Sequence, residues 1–434
     1  MGRPSVNRRI QVGVEVTPGT AVACTKSLPT TDIQLTRVLD TKQYRAMGYK
    51  PATIAKIVKD YSTGKVSGPF SYAEIIYPMS TLVTPVITTP GGATLARQWV
   101  FTAKARGADA FKTLTVQEGD DTAALQAAYC VLTEFGIDVK LDDSTINGAL
   151  LGQNLTATSL TAALNQIDEV TIPTDNTGGS FTLTYSGQTT AAIPYNATAD
   201  NVYGALVALT NIGAGDVIVT GGPGATSPFV IEFTGALAGA SRVLTSTPSL
   251  TGGTNTAAVS VDQAGGGTGV TTIPTIPIGP REIDVFMDDI GGTIGTTKVG
   301  NAMSASFKVA NKQGARWVLN TTYSSFRDTI EIVPTLTASI DMEFDSQART
   351  LFASISAQSN PVKLIRIQAT SGTNYIEGTT PYSFKMDFAA QIVATAQGDI
   401  DGDYAYTFNF LPQFNSTYGN KAWEATIINQ QTAL

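Results

Sequence analysis

The sequence predicts a mainly β protein with a few helices: two tandem β-sandwich or half-barrel domains, each with one packed α-helix, around a small Ig-like β-sandwich insert. Three observations carry this. Several runs alternate apolar and polar residues, a strand–helix–strand order recurs near both ends, and the middle stretch is almost free of basic residues. At 434 residues the chain is also too long for one ordinary domain.

Alternation is clearest near the C-terminus. Leu336, Ala338, Ile340, Met342 and Phe344 alternate with Thr337, Ser339, Asp341 and Glu343, which predicts a half-buried strand. Ser346 reads as the N-cap of a helix presenting Ala348, Leu351, Phe352 and Ile355 on one face, and Asn360-Pro361 reads as its stop. Strands over 363–369, 382–388 and 404–410 follow, the last with Tyr404, Tyr406, Phe408 and Phe410 on one face.

The N-terminal part repeats this order. Ser71-Tyr72-Ala73-Glu74 reads as a capping box before a helix carrying Tyr72, Ile75, Ile76 and Met79, which Pro78 limits. Strands are predicted over 98–103, 113–117 and 129–140. Upstream, Gly19-Thr20, Thr25-Lys26 and an alternating run over 32–39 match Gly292-Thr293, Thr297-Lys298 and the run over 303–309. The spacing from Gly19 to Ser71 nearly equals that from Gly292 to Ser346. These features read as a diverged tandem duplication, with domains over 1–166 and 269–434.

Between them, 167–268 ends in Gly265-Gly266-Gly267 with Pro274, Pro277 and Pro280 beyond, as a domain boundary should. Strands over 181–185, 216–220 and 229–234, and a helix over 199–209 with Val202, Leu206 and Leu209 on one side, make it a self-contained module. It holds seven acidic residues against Arg242 alone, so most of the net charge of −7 resides there. The flanks together are close to neutral, and net charge therefore says little about their surface.

Composition narrows the chemistry. The chain has no histidine, which excludes histidine-dependent triads, histidine-ligated zinc and haem, and an ordinary histidine pH switch. Cys24 and Cys130 read as buried small hydrophobes. Asp399-Ile400-Asp401-Gly402-Asp403 begins like a calcium loop, but Phe410 stands where the closing Glu belongs, so a hairpin turn is expected. Gly221-Gly222-Pro223-Gly224 lacks the Lys-Ser/Thr of a phosphate loop. No nucleophile–base pair stands out, so neither an enzyme nor a cofactor is expected. Glu15 and Pro18 break the segment over 10–23, so no export signal or membrane span is expected and the chain should be made and assembled in the cytosol.

The flanks resemble the tail tube (major tail) proteins of long-tailed, siphovirus-type phages of actinobacteria. The residues that carry the resemblance are Gly13-Val14-Glu15-Val16-Thr17-Pro18-Gly19-Thr20-Ala21, the segment Thr53–Tyr77, Val116-Gln117-Glu118-Gly119-Asp120, Glu377-Gly378-Thr379-Thr380-Pro381-Tyr382, and Trp423–Leu434. The middle module, with Gly179–Tyr185 and Phe233–Gly239, is similar to modules recurring in virion and bacterial surface proteins. The resemblance implies a structural virion protein whose rings stack into a tube for genome ejection. It implies self-association, passage of double-stranded DNA without specific binding, and tape measure, tail terminator and distal tail proteins as neighbours. For a fused pair it implies a trimeric, pseudo-sixfold ring; the alternative is a hexamer. Competing readings are another virion ring or decoration protein, in baseplate or head, and a bacterial surface adhesin.

A ring-to-ring contact loop is expected where Lys50, Lys56, Lys59 and Lys65 precede the first helix, and where Lys312, Arg316, Arg327, Asp328 and Glu331 precede the second. Lumen-facing strands should be polar and neutral or acidic, a description that fits 336–344 and 382–388 with Asp341, Glu343 and Asp387 against Lys385. Tyr185, Tyr195 and Tyr203 are candidate glycan contacts on the insert.

Overall fold

Alternating residues form strands that bury one face, and the computed structural model assembles them into a mainly β molecule with few helices. It describes all residues except 1–7, 92, 121–122, 161–164, 224–226, 264, 266–269, 320–323, 357–360 and 401. Gly224, Gly266-Gly267, Asn360 and Asp401, which figure in the readings above, lie outside the described residues. The chain divides into two compact units, Met1–Leu160 with Thr272–Leu434, and Thr161–Thr271.

In the larger unit the longer N-terminal elements are β1 (Arg9–Val14), β2 (Asp32–Tyr44), β3 (Ile54–Pro69), α1 (Ile76–Ser80), β4 (Arg97–Lys104), β5 (Leu114–Gly119), β6 (Ala124–Lys140) and β7 (Ser144–Gly152). The smaller unit contains β8 (Ile167–Thr171), β9 (Gly178–Tyr185), α2 (Ala199–Val207), β10 (Val217–Gly221), β11 (Phe229–Phe233), β12 (Leu244–Thr251) and β13 (Ala258–Gln263). The larger unit then resumes with β14 (Ile283–Asp289), β15 (Ala302–Ala310), β16 (Gln313–Arg316), β17 (Asp328–Glu331), β18 (Thr335–Glu343), α3 (Ser346–Ser356), β19 (Lys363–Glu377), β20 (Thr380–Ile400), β21 (Asp403–Pro412) and β22 (Lys421–Asn429).

Five antiparallel pairings recur in the two parts of the larger unit. β1–β5, β5–β6, β6–β7, β7–β3 and β3–β2 are matched by β14–β19, β19–β20, β20–β21, β21–β18 and β18–β15. The match extends to a bulge. In β6 it lies between Leu132, opposite Leu150, and Glu134, opposite Ala149; in β20 it lies between Ile392, opposite Phe410, and Ala394, opposite Asn409. β6 also pairs with β15 through Ser304 to Val309, so one ladder runs β2-β3-β7-β6-β15-β18-β21-β20. β20 bends so that its first half enters a second sheet, β14-β19-β20-β22-β4.

One apolar core joins both parts, with Phe307 against Phe388 at 4.9 Å and Phe70 edge-on to Phe384 at 4.7 Å. The same bend explains why β6 and β20 run longer than the sequence predicts: each contributes to two sheets. In β6 the bend falls at Tyr129, which adopts φ +53°. The carboxylate of buried Glu15 fixes it, accepting the Tyr129 N–H (2.8 Å), the Thr115 hydroxyl (3.0 Å) and the Gly19 N–H (2.7 Å). Gly19 sits at φ +82°, where a side chain is disfavoured.

Both predicted helix starts need correction. α1 begins after Ile75 with no side-chain cap, and Glu74 instead accepts hydrogen bonds from the N–H groups of Thr30 and Thr31. A long-range partner outcompetes the local box. α3 starts at Ser346 itself, while the Asp345 carboxylate accepts the Ala348 N–H at 2.9 Å.

The smaller unit is a β-sandwich of two four-stranded sheets, one ordered β10-β11-β8-β13 and the other built on β9 and β12. Phe181, Leu183, Phe229, Ile231 and Phe233 fill it together with Val202 and Leu206 of α2. Thr198 and Asn201 form a reciprocal capping box on α2.

Candidate assembly surface

Along the eight-strand ladder, buried Ile33, Ile137, Ile146, Phe307 and Ile340 alternate with Gln34, Asp138, Asn147, Ser306 and Ser339 on the opposite face. That opposite face is polar and of mixed charge. Lys308 pairs with Glu134 at 2.6 Å, Ser306 meets Ser339 at 2.8 Å, and Asp341 accepts from Ser304. The strand over 382–388 does not belong here. It lies in the second sheet, where Asp387 is held by a bidentate Arg366 contact (2.7 Å for both bonds), so the two strands proposed to share a lumen face are separated.

The ladder is open. Among the described residues, the edge of β2 away from β3 has no strand partner, and neither does the edge of 393–400 away from β21. Glu118 accepts the Leu35 N–H at 2.6 Å and so covers one donor of the β2 edge. Unpaired strand edges of this length invite association.

Beyond β7 the β2–β3 pair continues as a two-stranded arm over 39–60, and such a ribbon has no core of its own. Its apolar residues stand in solvent: Met47 is 93% exposed, with Tyr49, Ile54, Ile57 and Val58 also exposed. Lys50 lies in the tip, and Lys56 and Lys59 lie on β3 of the arm. Lys59 contacts Asp40 at 3.4 Å and lies over the Trp317 ring at 5.4 Å. Lys65 is exposed lower down, on the polar face of the ladder.

The matching segment between β15 and β18 behaves differently. It forms the β16–β17 hairpin, folded onto the first part of the unit. Phe326 is fully buried edge-on to Tyr129 at 5.3 Å, and Trp317 meets Tyr61 at 5.7 Å. Arg316 forms a bidentate pair with Asp328, and Arg327 also binds Asp328 at 2.9 Å. Lys312 is 2% exposed and bound to Asp109 and Glu331. The two segments expected to make ring contacts therefore differ in structure. Lys50, Lys56 and Lys65 are exposed and Lys59 is half-buried, whereas Lys312 is buried against half-buried Glu331, and Arg316, Arg327 and Asp328 satisfy one another. Asp109 was missed because it is distant in sequence and in no recognisable motif.

The other sequence candidates resolve plainly. Cys24 and Cys130 are buried free thiols, and burial pushes the Cys24 thiol up to about 12. The turn after β20 is a hairpin in which Gly402, at φ +87°, donates to Asp399. Tyr185 is buried against Phe233, and Tyr195 and Tyr203 pack on the same core, so these three do not form an exposed sugar platform.

No family model matches the chain. Over 79 residues, 18% of its length, the chain is 43% identical to the tail sheath protein of Mycobacterium phage Bxz1. The matched stretch spans 13% of that protein, so the similarity is local.

Proposed function

We propose that the chain is a structural protein of a phage tail and, within the tail, the subunit of the tube. The local similarity to a phage tail sheath protein supports the first half of this reading. The repeated pairing pattern supports the second. It fits two copies of one unit joined edge to edge through β6 and β15, with the equivalent edges of β20 and β2 lacking a strand partner among the described residues. Head-to-tail contacts that close make rings.

The internal joint gives the register of the external one. One rung across the first copy is Gly136, Asn147, Ser67, Asp32; the matching rung of the second is Ala396, Thr407, Asp341, Ser304. Across the joint, Lys308 faces Gly136 and Ser304 faces Lys140. Carried to the open edges, Thr36 of one subunit faces Ala396 of the next, and Asp32 faces Ile400. Three subunits then close a ring, each carrying the smaller unit as decoration. The polar face of the ladder lines the channel, where Asp138, Asp341 and the Lys308–Glu134 pair offset Lys65 and Lys140 and so limit the counterion-releasing phosphate contacts that would hold DNA. DNA passing through, and the tape measure, terminator and distal tail proteins, remain the partners that the resemblance implies.

Paired Thr36→Cys and Ala396→Cys substitutions in one chain test the register, since facing residues of antiparallel strands come within disulfide range. Oxidation of the assembled protein should give covalently closed oligomers on non-reducing gels. Gly136→Cys with Lys308→Cys, the internal equivalent, should cross-link within one chain. Intact assemblies that yield only monomers from the first pair, while the second pair cross-links, would refute the ring. The local similarity to a tail sheath protein favours a second reading, an outer tail layer; that layer would need a separate tube to assemble on.

A further inference from the structure

We propose that Lys312 and Asp109 become joined by an intramolecular isopeptide bond, with Glu331 as the proton carrier. Asp109 lies in the connection from β4 to β5, Lys312 follows β15, and Glu331 ends β17, so three separate segments converge. The side chains of Lys312 and Asp109 are both 2% exposed. Lys312 Nζ contacts Asp109 Oδ2 directly and Glu331 Oε1 at 2.5 Å. The other Glu331 oxygen accepts the Asp109 N–H at 2.8 Å, which holds the two acids side by side. The Lys104 N–H donates to Asp109 Oδ1 at 3.0 Å. The lysine backbone is fixed as well: its N–H donates to the Thr133 carbonyl and its carbonyl accepts from the Ile332 N–H, each at 3.0 Å.

This arrangement meets the requirements of amide formation. An amine attacks only when neutral, and a carboxyl group accepts attack only as the neutral acid. Glu331 takes one proton from the Lys312 ammonium and passes it to Asp109. The Nζ lone pair then bonds to Cγ of Asp109, and the charge developing on Oδ1 is met by the Lys104 N–H. Glu331 carries a second proton from Nζ to Oδ2, the Cγ–Oδ2 bond breaks, and water leaves. The balance is one ammonium and one carboxylate giving one amide and one water, with Glu331 unchanged and no oxidant or cofactor consumed. The product also replaces two buried charges, whose desolvation is costly, by a neutral amide. Asp109 rather than Glu331 is the acceptor because its carboxyl is the more buried of the two. The bond would tie the segment leading into the β16–β17 hairpin to the β4–β5 connection.

Intact-mass measurement of the full chain under denaturing conditions tests this. The wild-type chain should be lighter than its sequence by one water, and digestion should release a branched peptide joining the segments around 109 and 312. Lys312→Arg and Glu331→Gln should return to the mass of their sequences. Asp109→Asn, if it reacts, should lose ammonia in place of water. A wild-type chain at its full sequence mass would overturn the proposal even if every variant failed to fold. A branch mapped to Glu331, or bond formation in Glu331→Gln, would overturn the roles assigned here.

Discussion

Individual carboxylates hold the turns of this molecule together. Burial pushes the Asp288 carboxyl up, but donors from Thr296 and Thr297 outweigh that effect and hold it at about 2. Glu377, which accepts the N–H groups of Ala96, Thr94 and Leu95, is held at about 2 as well. Both are depressed below the ordinary carboxylate range, so their contribution is complete above the unfolded-state values and disappears as pH falls through the folded ones. Stability should therefore decline between about pH 4 and about pH 2. Asp288→Asn should cost about 2 kcal/mol at neutral pH, and should lose less than the wild type on acidification. Denaturant melts of both proteins, at neutral pH and at about pH 3, check this; parallel acid losses would contradict it. None of these anchors was legible in the sequence, because each carboxylate serves backbone donors whose proximity only the folded chain creates. Glu15 was visible within its motif, but its role at the Tyr129 bend was not.

At the scale of elements, alternation located the strands, and the tertiary structure decided their lengths. The runs over 32–39, 303–309 and 336–344 became β2, β15 and β18 with little change beyond the extension of β2 into the arm. β6 and β20 outgrew their predicted ranges because each passes from one sheet into another, so a single alternation pattern does not run through the whole strand. The Ser71 box failed since Glu74 found better donors at Thr30 and Thr31, whereas the Thr198 box was overlooked because Asn, not Glu or Gln, closes it. The two arms show the limit most clearly. Similar charge in sequence conceals one arm folded against its own chain and one left exposed with Met47, Tyr49 and Ile57 in solvent. Exposed apolar surface of that extent is what a contact surface between subunits needs, and the arm is proposed to supply it. Replacing 45–53 by a short Gly-Ser turn should leave the fold and the ring intact but reduce tube elongation at least about tenfold, the loss of roughly 1.4 kcal/mol per contact. Sedimentation of polymer against rings measures this, and unchanged elongation would remove the arm from assembly.

For the whole molecule, the proposed ring needs two copies of a four-strand block in one chain. Each block shifts the rung by four residues, from Ser304 to Lys308, across four strands. Three chains of two blocks make about 24 strands with equal shear, which implies a strand tilt of about 36° and a backbone diameter of about 40 Å. The repeated order of strands was legible in the sequence, and the pairings recur with it. The closing edges were not, because an open edge is defined by which strand is missing beside it. Electron microscopy of the purified, assembled chain, with averaging of end-on views, tests this claim most directly. The expected image is a hollow ring with a pseudo-sixfold wall of true threefold symmetry and an inner wall of about 40 Å. A ring of six subunits with a proportionally wider wall, or particles without a lumen, would contradict it.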